Sequence, residues 1–209
     1  MAERIERPGK AGPLTERQIR DNTIGELQRL SARILIVDYD PQWPELFRRE
    51  ADRIEAALAA HAVRLEHTGS TSVPGLAAKP IIDMLLVVQD SANEDAYVPT
   101  LEGIGYVMRI RETHWHEHRM LKGPGTDVNL HVLSFGCSEI SRVLIFRDWL
   151  RSNAHDRELY ARTKLRLAEK RWKYVQNYAD AKTAVIEQII ERARREWNKE
   201  PASCTGCHV

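Results

Sequence analysis

The run Glu66-His67-Thr68-Gly69-Ser70-Thr71-Ser72-Val73-Pro74-Gly75-Leu76-Ala77-Ala78-Lys79-Pro80-Ile81-Ile82-Asp83 constrains this chain more than any other feature. It is a Gly-Ser turn, a loop of small residues, a lysine, and then an aspartate opening a strand. Residues 81–88 are apolar almost throughout, as in a strand buried on both faces. The same order suits a phosphate site. Backbone N–H groups in a Gly/Ser turn can converge on an anion. Lys79 supplies positive charge, and the Asp83 carboxylate can hold a magnesium ion against phosphates. A tight turn at Gly69-Ser70 and a salt-bridged Asp83, with Arg147, Lys164 or Lys182 as partner, is the purely structural alternative.

The 209 residues suffice for one well-buried domain, alone or with an appendage. A formal net charge of +1 brings no bulk polycationic field and argues against nucleic acid as partner. The first ten residues lack the apolar core of a signal peptide, and the longest apolar runs are too short to span a membrane. Three cysteines argue against a disulfide framework, so a cytoplasmic location is expected.

Residues 1–13 read as a flexible arm and 14–31 as a helix, entered through a capping box at Thr15 and Gln18 and weakened by Gly25. Residues 34–37 read as the first strand. Asp40 is the expected N-cap of the next helix, with Pro41 at its first position and apolar spacing continuing to about residue 61. Strands are expected at 63–66, 81–88, 105–110, 114–122 and 127–134, with a loop and helix over 90–103. Helices follow near 139–152, 156–171 and 176–198, with a polar break at Ser152-Asn153. The fold class is thus α+β, a mixed sheet with flanking helices. The expected units are an N-terminal arm and helix (1–33), an α/β core (34–135), a C-terminal helical subdomain (136–198) and a flexible tail (199–209).

Other residues carry chemistry in pattern. His114, His116 and His118 alternate and would share one face of a strand, with His131 on the neighbouring one. Such a cluster can bind zinc or another transition metal. It can equally form the polar wall of a pocket, with His116, His118 and Arg119 near phosphate or base. Arg147 suits bidentate phosphate contact, and adjacency on a helix argues against its pairing with Asp148. Tyr178 and Lys182 share a helix face, as a base-stacking ring with a phosphate lysine or as a packed pair. Cys204-Thr205-Gly206-Cys207-His208 matches the c-type haem attachment pattern, but without an export signal it reads as an inert or weakly metal-binding tail.

From about Ile34 to Ala193 the chain resembles the GrpB family, a branch of the nucleotidyltransferase fold superfamily. The blocks that carry the likeness are Asp40-Pro41-Gln42-Trp43-Pro44, the run from Gly69 to Asp83, Asn129-Leu130-His131-Val132, and Phe146-Arg147-Asp148-Trp149-Leu150-Arg151. Tyr160 with Lys164 and Tyr178 with Lys182 complete the set. The resemblance implies a nucleotidyltransferase-like mixed sheet. It also implies a Gly-Ser turn before a strand whose aspartates at i and i+2, with a third carboxylate on a neighbouring strand, hold two magnesium ions. Here Asp83 fills the first position, Leu85 the second, and Asn129 and His131 stand near the third.

Carried onto this chain, the implied catalytic residues are Asp83, Ser70 and His131, with Asp83 as metal ligand. The implied nucleotide-binding residues are Gly69, Ser70, Thr71, Lys79, Arg119, Arg147, Tyr178 and Lys182. Mg2+ and a nucleoside triphosphate are the implied cofactor and substrate, and the reaction is transfer of a nucleoside monophosphate to a small-molecule acceptor. Non-catalytic binding of a nucleotide or coenzyme is the alternative that Leu85 favours. Fusion of some family members to dephospho-coenzyme A kinase points the same way. A metal-binding protein centred on the histidines is the second alternative.

Overall fold

The computed structural model describes residues 13–59, 62, 64–125 and 127–198. The Cys204–His208 motif and nearly all of the N-terminal arm lie outside them. Five strands form one mixed sheet in the order β1-β2-β5-β4-β3: β1 (Arg64–Thr68), β2 (Ile82–Val88), β3 (Val107–Glu112), β4 (His118–Lys122) and β5 (Val128–Ser134). Only the central pair β2–β5 is parallel; the other neighbours are antiparallel. The mixed α+β class expected from the sequence is the observed one.

The period of two along β2 divides its side chains between two layers. Met84, Leu86 and Val88, with Leu130 and Val132 of β5, belong to a core that includes Ile54 and Leu58 of α2 (Trp43–Leu58) and Leu101 of α3 (Val98–Gly103). Asp83, Leu85 and Val87 face the other way. There Leu85, Val87 and Leu133 pack with Cys137 and Ile140, at the start of the helical segment α4 (Ser138–Ser152), α5 (Ala154–Ala168), α6 (Val175–Asp180) and α7 (Thr183–Trp197). Each leucine buried this way stabilises the fold by about 2 kcal/mol.

Several local expectations change. The Thr15 capping box forms, with Gln18 N–H donating to Thr15 Oγ1 at 3.3 Å and Thr15 N–H to Gln18 Oε1 at 2.9 Å. The helix it opens, α1, spans only Glu16–Asn22 instead of reaching residue 31. At Thr23 the backbone turns extended and bridges Ile110, Ile24 N–H donates to Arg109 O at 2.8 Å, and Gly25 takes φ +80°. Pairing with the edge of β3 outcompetes helix propagation there. Residues 34–37 are not a strand: Val37 makes one isolated bridge to Ala78, since both sides of β2 are already occupied by β1 and β5. The second helix begins at Trp43, with Gln42 rather than Asp40 at its N-cap position and no side chain capping it. Asp40 Oδ1 instead accepts from Gln42 N–H at 2.8 Å, in the turn before the helix.

β4 starts at His118, so His114, His116 and His118 do not line one strand face. Residues 114–117 form a turn in which His116 (φ 56°) and Glu117 (φ 48°) are left-handed. The expected break at Ser152-Asn153 is present, and Asn153 caps α5 by accepting from Asp156 N–H at 2.9 Å. The last expected helix is two, α6 and α7, separated at Ala181 and Lys182.

Candidate functional site

Gly69 explains the Gly-Ser turn. Its φ of +65° disfavours any L side chain. A Cβ there would also collide with the Asp83 carboxylate and lie 2.8 Å from Asp83 Cβ. The turn therefore packs its backbone directly against the aspartate that opens β2. From Gly69 the chain enters a short 3-10 turn, Ser70–Ser72, stapled by Ser72 Oγ donating to Gly69 O at 2.6 Å. Ser70 and Tyr160 of α5 line a common cavity, and burial pushes the Tyr160 phenol above its ordinary range. Thr71 turns inward. It is 1% exposed and donates to Ile81 O at 3.2 Å, with His67 Nε2 3.1 Å from the same hydroxyl.

Asp83 stands at the border of two adjoining cavities. Its side chain keeps 32% of its area open, and its Oδ1 accepts from Asn129 Nδ2 at 2.8 Å, with His131 Nε2 3.9 Å away. Burial alone would raise this carboxyl. The polar neighbours His131, Asn129 and Lys79 outweigh it and hold the pKa below the ordinary value. The salt bridges to Arg147, Lys164 or Lys182 offered by the structural alternative are not its contacts.

The first cavity is small, about 40 Å³, and is bounded by Ser70, Thr71, Asp83, Asn129, Tyr178 and three lysines, Lys79, Lys164 and Lys182. Lys182 lies over the Tyr178 ring at 4.7 Å from its centroid and Lys79 at 5.7 Å. Lys164 is 2% exposed, donates to Ala77 O and sits 4.9 Å from the Tyr160 centroid. Burial lowers all three ammonium pKa values, with Lys182 adding repulsion at Lys79 and at Lys164, where the value falls to about 7. Tyr178 is 1% exposed and its buried hydroxyl has no hydrogen-bond partner among the described residues. A buried hydroxyl left unpaired costs about 1–3 kcal/mol.

The second cavity, about 340 Å³, opens on the other side of Asp83. Leu85, Leu133, Phe146, Leu150 and Ile186 make it largely apolar, while Glu112, His118 and His131 enter from the sheet. Leu85 thus occupies the place, two residues from Asp83 and on the same face, where a second carboxylate would stand. Among the described residues no group of three or more His, Cys, Asp and Glu side chains is disposed around a metal position.

The remaining expected site residues fall unevenly. Lys79, Lys182, Ser70, Asp83 and His131 converge. Tyr178 converges too, as a buried wall whose ring has two lysines over it and Trp172 edge-on at 6.2 Å. Arg119 does not join them. It is 3% exposed and committed to Glu94 and Glu117, and it alternates along β4 with His118, which faces the cavity. Arg147 borders the large cavity with most of its donors engaged. It meets Glu66, His67 O at 3.0 Å, and Asp148 at 2.7 and 3.1 Å. The pair with Asp148, argued against from their adjacency, forms because the guanidinium is long enough to fold back along the helix.

Sequence reasoning missed Tyr160 as a wall, Asn129 as the Asp83 donor, and Lys164 as a member of the cation cluster. Tyr160 and Lys164 stand four apart on α5, the spacing that puts a ring and an ammonium on one helix face.

A protein family model described as GrpB protein matches residues 33–192. The UPF0157 protein BH1888 of Halalkalibacterium halodurans is 57% identical over 181 residues, covering 87% of this chain and 93% of that protein. The crystal structure of conserved protein GrpB from Enterococcus faecalis superposes with a TM-score of 0.69 at 34% identity, over 79% of this chain and 100% of that one. More distantly, a dephospho-CoA kinase of Mycolicibacterium paratuberculosis is 31% identical over 194 residues, 80% of this chain but only 47% of that enzyme. With a family match over most of its length and relatives this similar, the chain belongs to the GrpB family.

Proposed function

We propose that this protein binds a phosphorylated small molecule of the nucleotide or coenzyme type, with a phosphate in the small cavity neutralised by Lys79, Lys164 and Lys182 rather than by magnesium. One observation carries the reading: three lysines and an unpartnered Tyr178 hydroxyl surround a cavity to which the chain contributes a single carboxylate, Asp83. Clustered ammonium groups with depressed pKa values are costly in the absence of an anion, and a phosphate with several acceptor oxygens satisfies them together. The donor set fits a pair of metal ions poorly. Leu85 cannot ligate, Asp83 Oδ1 is already engaged by Asn129, and the adjacent lysines repel a dication.

Transfer of a nucleoside monophosphate to a small-molecule acceptor is the second reading, favoured by the packing of Gly69 against Asp83. Thermal unfolding with ATP, GTP, CTP, UTP and coenzyme A, each with magnesium or with chelator, separates the two. A ligand that binds the native state raises the melting temperature by mass action. Stabilisation that survives chelation and is lost in Lys182→Met is the expected result. Stabilisation that appears only with magnesium and disappears in Asp83→Asn would replace the first reading with the second.

A further inference from the structure

The large cavity ends at a partition. Ile110 and Glu112 of β3 and Gln176 of α6 line it, and the same three residues line a third cavity of about 260 Å³. The N-terminal segment bounds that third cavity, with Ile19, Asn22 and Leu27 among its walls. Glu112 straddles the boundary. Its Oε2 is 2.8 Å from Nδ1 of His118, which lines the large cavity. Its Oε1 accepts at 3.3 Å from Nδ2 of Asn22, which lines the third.

Each member of the partition is held by the N-terminal segment. Ile110 is bridged by Thr23, and the neighbouring Ile24 N–H donates to Arg109 O at 2.8 Å. Glu112 is held by Asn22. Gln176 Nε2 donates to Asp180 Oδ1 at 2.9 Å, and Asp180 Oδ2 accepts from Leu14 N–H at 2.9 Å. The segment is itself anchored by Ile19, which is 5% exposed, and by Glu16, which pairs with Lys173 and accepts from the Tyr174 hydroxyl at 2.8 Å. The opposite end of the large cavity is fixed as well, because Ser70, Asp83 and Lys182 are common to it and to the small one. A ligand with its phosphate in the small cavity passes these three and runs towards Ile110.

We propose that Ile110 is a specificity-determining residue and Asn22 a positioning residue acting through Glu112, so that the N-terminal segment closes the large cavity and limits the ligand to a phosphomonoester with a compact body. The inference rests on the phosphate reading above. An elongated body would have to cross the partition and displace a buried carboxylate that an apolar chain cannot satisfy. Of the two ligand types, the compact nucleotide is thereby favoured over the extended coenzyme.

Calorimetry with n-alkyl phosphates of increasing length tests this on the unaltered protein, Ile110→Ala and Asn22→Ala. While each added methylene is buried, affinity rises about fourfold per carbon. The rise is expected to stop at a definite length in the unaltered protein. It should continue for about two further carbons in Ile110→Ala and about one in Asn22→Ala, as the wall recedes. Each profile is read against the same protein's binding of methyl phosphate, so a general loosening of the fold does not imitate the shift. Asn22 is only half-buried, so its variant keeps the test open where Ile110→Ala fails to fold. The same stopping length in all three proteins, with phosphates still bound, would overturn the partition and leave the phosphate reading standing. A shift in Ile110→Ala alone would overturn the part given to the N-terminal segment. Failure of every alkyl phosphate to bind would remove the phosphate reading and this inference with it.

Discussion

At the scale of single residues, Gly69 and Asp83 are one structural fact, because the glycine backbone occupies the volume a side chain would take from the carboxylate. Gly69→Ala is expected to destabilise the fold by about 2 kcal/mol, from a left-handed backbone and a steric clash acting together. Gly75→Ala, with φ +75° but nothing within 4 Å of the added Cβ, should cost about 1 kcal/mol. Urea unfolding of both variants checks this; equal losses would mean that the Asp83 contact is immaterial. The importance of the Gly-Ser turn and of Asp83 was legible in the chain, but their mutual contact was not. Arg119 and Arg147 show the converse. Both are arginines beside site residues, yet carboxylates from other elements hold them, and a linear reading has no means of knowing which carboxylates arrive.

Among elements, the C-terminal helices are tied together by Asp156. It is 1% exposed, accepts from Trp149 Nε1 of α4 at 2.7 Å and from Arg192 of α7 at 2.7 to 3.1 Å, and sits in the first turn of α5. Removing it strands a half-buried indole N–H and leaves a half-exposed arginine unpaired, so Asp156→Ala is expected to cost about 2 kcal/mol. Chemical denaturation measures that loss; a change within a few tenths of a kcal/mol would show that the helices are held by apolar packing alone. Element type was well read where the period was strong, as in α2, β2, β5, α4 and α5. The misreadings share a cause. Residues 23–31, 34–37 and 114–117 have acceptable local patterns, but whether a partner edge is available is a property of the sheet.

For the molecule as a whole, the small cavity is assembled from the Ser70 turn, the Lys79 loop, β2, β5, α5, α6 and the α6–α7 junction, so its occupancy should be felt globally. Lys164 gives the sign. Burial, then repulsion by Lys182, lowers its pKa from 10.5 to about 7. Between those values the unfolded chain holds a proton that the folded one lacks, so this group's contribution to stability rises as pH climbs through that window. Below it both states are charged and the contribution stays at its minimum. Unfolding measured across the window should show this slope flatten in Lys164→Met. A bound anion reverses the shift and recharges the lysine. Sulfate binding at about pH 8 should therefore take up protons, seen as buffer-dependent enthalpy in calorimetry. Anion binding without proton uptake would remove Lys164 from the site.

The chain by itself determined the fold class, the apolar strand at 81–88, the Gly-Ser turn before Asp83, and the absence of a second carboxylate at Leu85. These follow from local periodicity and residue chemistry, which adjacent positions carry. Only the tertiary structure decided that three lysines and a tyrosine from separate segments close on one cavity. It alone aligned Glu112, His118 and His131 with Asp83 and drew Arg119 away from them. Those outcomes depend on which strands become neighbours and which faces helices cover, and hydrophobic burial selects that arrangement over the whole chain at once.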